Sequence, residues 1–159
     1  RVICGLLPPA HGQVLWRGQP MRGGEDEAND PLYLGHAHGL REELSAQENL
    51  EFAASLGGDR PSQPAISQAL TQAGLRASAD MPLRRLSQGQ RRRCALARLP
   101  LARRQRLWIL DEPFNALDAE GTEWLMAEMR GHLLREGLVV FTSHQSLPID
   151  AAADLELAL

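Results

Sequence analysis

The chain has 159 residues, 43% hydrophobic and 23% charged, with a formal net charge of −3. That is the size and composition of one globular domain able to bury a core, and no apolar run is long enough to span a bilayer. All 17 basic side chains are Arg, which excludes chemistry needing an amine, including Schiff-base catalysis and a phosphate-loop lysine; two unpatterned cysteines, Cys4 and Cys94, make neither a disulfide framework nor a zinc site and fit a reducing compartment.

Val2 to Leu7 is apolar and uncapped, and reads as the tail of a helix stopped by Pro8 and Pro9. Gly12 to Trp16 reads as a short strand. Gly18 to Asp30 is Gly-rich, acidic and aperiodic, a surface loop. Leu32 to Leu34 is a short apolar strand. Ser45 and Glu48 form a capping box before a helix whose stripe is Leu50, Ala53 and Ala54. Gly57 and Gly58 end it, and Gly57 to Pro64 is a linker. Pro64 opens a second helix, with Ile66, Leu70 and Ala73 on one face and Gly74 at its end. A third helix starts near Ser87, and Pro100 should end or kink it.

Leu107 to Leu110 is wholly apolar, as expected of a strand buried on both faces in a parallel sheet. Leu125, Met129 and Leu133 make Glu120 to Glu136 an amphipathic helix. Leu138 to Phe141 is a second wholly apolar strand, and Leu155 to Leu159 a possible last one. The order strand, helices, strand, helix, strand implies an α/β fold with a mostly parallel sheet and a helical insertion from about Leu44 to Leu99. Arg84 to Arg106 holds nine Arg and no acid. Arg84, Arg85 and Arg91 to Arg93 suit an approaching triphosphate, whereas Arg98, Arg103, Arg104 and Arg106 read as a solvated face. No aromatic lies among them to stack a base, so nucleic acid is not the expected partner.

Three places can carry chemistry. The strand Leu107–Leu110 runs into Asp111 and Glu112, and ligands of parallel sheets sit beyond the carboxyl ends of strands. One carboxylate there can hold Mg²⁺ and the next can poise a water for attack on phosphorus. Alone, Asp111-Glu112-Pro113 is more simply a polar strand end. The second apolar strand runs into Thr142, Ser143 and His144. A lone His144 is most simply a surface residue, but beside the first strand it becomes a candidate contact for a transferred phosphoryl group. Ser87-Gln88-Gly89-Gln90 is an ordinary capping box, and the same helix start exposes N–H groups and a positive dipole end that attract phosphate.

Leu86–Gln90 with Arg91 to Arg98, Leu107–Pro113, Asn115-Ala116-Leu117-Asp118 and His144 together resemble the signature, Walker B, D-loop and H-loop series of ABC-type ATPases. Gly12 to Gly18, Leu34-Gly35-His36, Glu48-Asn49-Leu50 and Leu107 to Phe114 are similar to the ATP-binding subunits of haem exporters in cytochrome c maturation. The resemblance implies a P-loop NTPase-like fold: one partial ABC ATPase domain, residues 1–43 and 100–159 forming the α/β core and 44–99 the helical subdomain. It implies ATP and Mg²⁺ as ligands. Asp111 would hold the metal through water, Glu112 would be the general base, and His144 would sense the γ-phosphate. Ser87, Gln88, Gly89 and Gln90 would bind ATP held by a second subunit in a head-to-tail dimer, with Asp118 at the seam. His36 stands where most of the family carries a glutamine, and Gln88 where a glycine is usual.

The sequence departs from the family at its front. No Gly-x-x-x-x-Gly-Lys-Ser/Thr occurs, so an N-terminal truncation that removes the P-loop and first strands is expected. These 159 residues alone are expected to show no Mg-ATP turnover; turnover abolished by Glu112→Gln would refute this. The implied function is ATP hydrolysis for haem export and cytochrome c maturation. The implied place is peripheral, on the cytoplasmic face of the inner membrane, with integral permease subunits and haem-handling maturation proteins as partners. The ATPase of another ABC transporter, a soluble ABC protein acting on DNA or ribosomes, and an inactive remnant remain alternatives.

Overall fold

The computed structural model describes residues 2–16, 18–20, 31–35, 39–56 and 60–144. Three strands, β3 (Leu32–Leu34), β4 (Leu107–Leu110) and β5 (Leu138–Phe141), form a parallel sheet in the order β3-β4-β5. Tyr33 pairs with Ile109, and Ile109 with Val140. Two bonds extend the ladder past the strands: Asp111 N–H donates to Leu34 O at 2.8 Å and Thr142 N–H to Leu110 O at 3.0 Å. The three carboxyl ends therefore lie side by side.

Both faces of β4 are covered, which explains its unbroken apolar run. On one face Leu32, Leu34, Trp108 and Leu110 pack with Leu96, Leu99, Phe114, Leu125 and Met129. On the other, Leu107 and Ile109 pack with Cys4, and with Trp16, Tyr33 and Val140 at the margin. β5 departs from the expectation of full burial. Leu138 is 46% exposed and the other three residues are half-buried, because β5 pairs on one side only among the described strands.

The helical layer has its own core. Helix α1 (Ala46–Leu56), α2 (Gln63–Gln72) and α3 (Gln88–Leu96) bring together Leu50, Ile66, Leu70, Leu83, Cys94 and Ala97. The capping signals read from the sequence set the helix starts. Ser45 N–H donates to Glu48 Oε2 at 2.8 Å and Glu48 N–H to Ser45 Oγ at 3.2 Å. Ser62 caps α2, with proline in its first turn. Gly74, at φ +72, ends that segment in the left-handed region. The third helix stops at Leu96, short of the proline. A separate 3₁₀ turn, Leu99–Leu101, holds Pro100 near its start, where a missing N–H costs nothing. Helix α4 (Ala119–Leu134) is capped by Asp118, and its Trp124 packs against both the sheet core and the helical core.

Two front-end expectations fail. Residues 2–7 form turns and bends rather than helix. Gly5 is left-handed at φ +70 and its N–H bonds back to Val2 O at 3.0 Å, closing a turn that cannot continue as helix. The expected strand from Gly12 shrinks to β1 (Leu15–Trp16), which pairs antiparallel with β2 (Gln19–Pro20) inside the segment expected to be loop. Gly18, at φ +79, makes the reversal. The strand expected at Leu155 to Leu159 lies outside the described residues.

His132 is buried and stacks on Trp108, with ring centroids 3.8 Å apart and planes 11° from parallel. Its Nε2–H donates to Arg106 O at 3.1 Å. Burial pulls the imidazole below its ordinary value and the Arg135 and Arg106 charges add to that, against the hydrogen bond to Arg106 O. A histidine depressed in the folded state makes the unfolded chain the better proton binder in acid. Its contribution is complete above about pH 6.5, the unfolded value, and is lost as pH falls below it. The melting temperature is therefore expected to drop on acidification through that range. His132→Phe keeps a ring against Trp108 and should flatten the drop. An equal drop in the Phe variant, measured by thermal melts across the range, would place the titration elsewhere.

Candidate active site

The sheet end assembles two carboxylates, a hydroxyl and an imidazole. Thr142 Oγ1–H donates to Asp111 Oδ1 at 2.8 Å, and Thr142 Oγ1 accepts Glu112 N–H at 2.9 Å. His144 Nε2 lies 3.2 Å from Glu112 Oε1. The Glu112 side chain is only 17% exposed, that of His144 89%. Asp111, Glu112 and His144, singled out separately in the sequence, thus share one end of two adjacent strands. Glu112 sits at φ +47, a left-handed conformation costing a non-glycine residue about 1–3 kcal/mol and kept only where surroundings impose it.

Arg92 supplies part of that constraint. Its guanidinium donates to Pro113 O at 3.2 Å, to Asp111 O at 2.8 Å and to Glu112 O. Burial lowers its pKa, while the Asp111 and Glu112 carboxylates oppose the shift. The expectation that Arg91 to Arg93 face a triphosphate is corrected here. Arg92 and Arg93 are buried, and Arg91 pairs with Glu42 at 2.9 Å. Arg98, expected to be solvated, is half-buried beside Leu50, Ala53 and Ala102.

A second set of residues meets at the start of α3. Ser87 Oγ accepts Gln90 N–H at 3.2 Å, and Gln90 Oε1 accepts Ser87 N–H at 2.9 Å. The first-turn N–H groups of Gln88 and Gly89 have no intrahelical acceptor, and the Ser87 hydroxyl proton is uncommitted by its capping bond. Ser87, Gly89, Gln90 and Asp118 line an open groove of about 470 Å³ with Arg93 and Glu120. Gly89 is required by space: a Cβ there would come within 2.8 Å of Ala116 O. Asp118 accepts Gly121 N–H at 2.9 Å and pairs with Arg93. Those two bonds hold its carboxyl below the usual range, the Gly121 N–H first. Arg93 also donates to Ala73 O at 3.2 Å, tying α2, α3 and the start of α4 together. His36 lies outside the described residues.

The donor set suits a divalent cation. Asp111 and Glu112 present hard oxygens at one place, and one Asp111 oxygen is already oriented by Thr142. No cluster of three or more His, Cys, Asp or Glu able to hold a metal occurs among the described residues, so phosphate and water would complete any Mg²⁺ shell.

The sequence profile of the ABC transporter family matches residues 1–115. The chain is 46% identical to cytochrome c biogenesis ATP-binding export protein CcmA 2 of Cupriavidus metallidurans, over 99% of this chain and 74% of that protein. The chain belongs to the ABC transporter ATP-binding family. It is also 45% identical to the CcmA protein of Dechloromonas aromatica, over 100% of this chain and 78% of that one. Its fold is that of ABC ATPase cassettes. A dimeric ATP-binding cassette bound to ADP and Pi superposes with a TM-score of 0.75 at 24% identity, over 91% of this chain and 67% of the other. An ATP-binding subunit of an ABC transporter superposes at 0.70 and 22% identity, over 89% and 60%. No helix among the described residues is long and apolar enough to cross a membrane.

Within this ABC cassette, sequence reasoning missed three positioning side chains. Thr142 gives no signal of its own, since a threonine at a strand end is commonplace. Arg92 precedes the buried Leu96 by one helical turn, a spacing that places it on the inward face of α3. Asn49 is buried and braces the loop before α1. Its amide donates to Arg41 O, Leu44 O and Ser45 O at 2.9–3.2 Å and accepts Arg41 N–H at 2.8 Å.

Proposed function

We propose that this chain is the ATP-hydrolysing subunit of a cytochrome c biogenesis exporter of the haem-exporting type. The observation carrying the chemistry is the meeting of Glu112 and His144 at 3.2 Å beside Asp111 at the sheet end. Glu112 orients a water and takes its proton as the water oxygen bonds to the γ-phosphorus and the bond to the β-phosphate oxygen breaks. His144, at the other side of the Glu112 carboxylate, contacts the γ-phosphate. Asp111 would hold Mg²⁺ through water, and that ion, when bound, would offset phosphate charge.

Ser87, Gln88, Gly89 and Gln90 contact ATP held by a second subunit in a head-to-tail dimer, and Asp118 lies at the seam. The open groove beside them supports that reading. His36 would serve the metal-bound water in the place where most of the family carries a glutamine. Residues 1–43 and 100–159 act as the α/β core and 44–99 as a helical subdomain. The dimer docks on integral permease subunits at the cytoplasmic face of the inner membrane and serves haem-handling maturation proteins.

Deleting the gene from its host is expected to abolish holocytochrome c, scored by haem staining. The wild-type gene should restore it and the Glu112→Gln allele should not. Normal holocytochrome c in the deletion strain would sink the export assignment.

A further inference from the structure

The chain leaves β4 after Leu110, and the carbonyls of Asp111, Glu112 and Pro113 that follow are met by side-chain and turn donors. Asn115 N–H reaches Glu112 O at 3.2 Å, and Arg92 reaches all three. Thr142 grips the Glu112 N–H from the other side. The left-handed backbone of Glu112 is thus held on its N–H by Thr142, the residue after β5, and on its C=O by Arg92 of α3. Of the three consecutive arginines, Arg91 turns outward to Glu42 and Arg93, itself buried, pairs with Asp118; Arg92 alone is bonded to the turn carrying the carboxylate. It stands five residues after Ser87, on the same rigid helix.

We propose that Arg92 is a positioning residue that passes the placement of the Ser87–Gln90 helix start to the Glu112 carboxylate of the same protomer. This rests on Glu112 acting as the general base. If the helix start contacts a partner's nucleotide while Glu112 serves the protomer's own, Arg92 links the two sites through one side chain and its hydrogen bonds. A planar guanidinium spanning three successive carbonyls cannot slide without breaking several bonds, so a shift of α3 moves the turn. An ammonium in its place is a point donor that cannot span them.

The test uses the complete gene product in its membrane complex and reads kcat and KM for Mg-ATP alongside a thermal melt. Arg92→Lys is expected to lower kcat about ten- to hundredfold, the scale of a small misplacement of a reacting group, with KM within about twofold. Arg92→Gln, whose amide can serve two of the carbonyls, should recover part of the loss. Combined with Ser87→Ala, the Lys variant should lose less than the product of the single losses, because one path carries both effects. The proposal is overturned by a folded Lys variant with wild-type kcat, by kcat and KM changing together, or by independent effects in the double variant. It is also overturned if neither variant folds cooperatively, since Arg92 would then be a structural brace alone. Glu112→Gln, run in parallel, separates the two readings. Retained hydrolysis there refutes the role of Glu112 itself, whereas its loss with normal Arg92→Lys refutes only the role of Arg92.

Discussion

Glu112→Gln in the complete gene product should lower kcat for ATP hydrolysis by about 10²–10⁴-fold, the range for removing a positioned acid–base group, and leave nucleotide binding nearly unchanged. The amide has the shape of the carboxylate and the same Cβ, so the φ +47 backbone and the bonds from Thr142 and Arg92 to the main chain should persist. What disappears is the capacity to accept a proton from water. The amide can still bond the imidazole 3.2 Å away, which leaves His144 in place. Phosphate release under saturating Mg-ATP, compared with binding of a fluorescent nucleotide, separates chemistry from affinity. A variant within tenfold of wild type would mean that another group, or water alone, takes the proton.

Trp108→Ala should destabilise the fold by about 3–5 kcal/mol. Trp108 is fully buried at the centre of the sheet core, flanked by Leu32, Leu110, Leu125 and Met129 and stacked on His132. Both neighbouring strands fix the backbone around it, so little collapse into the cavity is available. Its indole N–H is buried without an acceptor among the described residues. Trp108→Phe removes that unsatisfied donor and keeps most of the volume, so its cost should fall well below that of Ala. Urea midpoints at unchanged m-value report both. A loss below about 1 kcal/mol for Ala would show that the core refills the space.

Much of the architecture was legible because it follows from local chemistry. Four consecutive apolar residues before Asp111 required a strand covered on both sides. The Ser45/Glu48 and Ser87/Gln90 pairs announced helix starts that the hydrogen bonds reproduce. The candidate site was legible as strand ends: once β4 and β5 pair in parallel, Asp111, Glu112 and His144 come to one end of the sheet. What was hidden depends on distant partners. Arg92 and Arg93 read as charge awaiting a triphosphate because the carbonyls that absorb them are about twenty residues away in sequence. Thr142 reads as a polar residue because its two partners lie about thirty residues away, just past β4. The front misled for local reasons: Gly5 turns the chain where apolar neighbours suggested a helix, and Gly18 starts a hairpin where a loop was expected.

The two thiols open a route to watching the molecule breathe. Cys94 lies in the helical core, its pKa pushed up to about 12 by burial, and Cys4 lies behind the sheet, also raised by burial. Neither is reactive while covered, since alkylation requires an accessible thiolate. Maleimide uptake at each position, resolved by peptide mass, would then clock how often each layer transiently opens. A nucleotide that slowed labelling at Cys94 but not at Cys4 would show the helical layer tightening by itself.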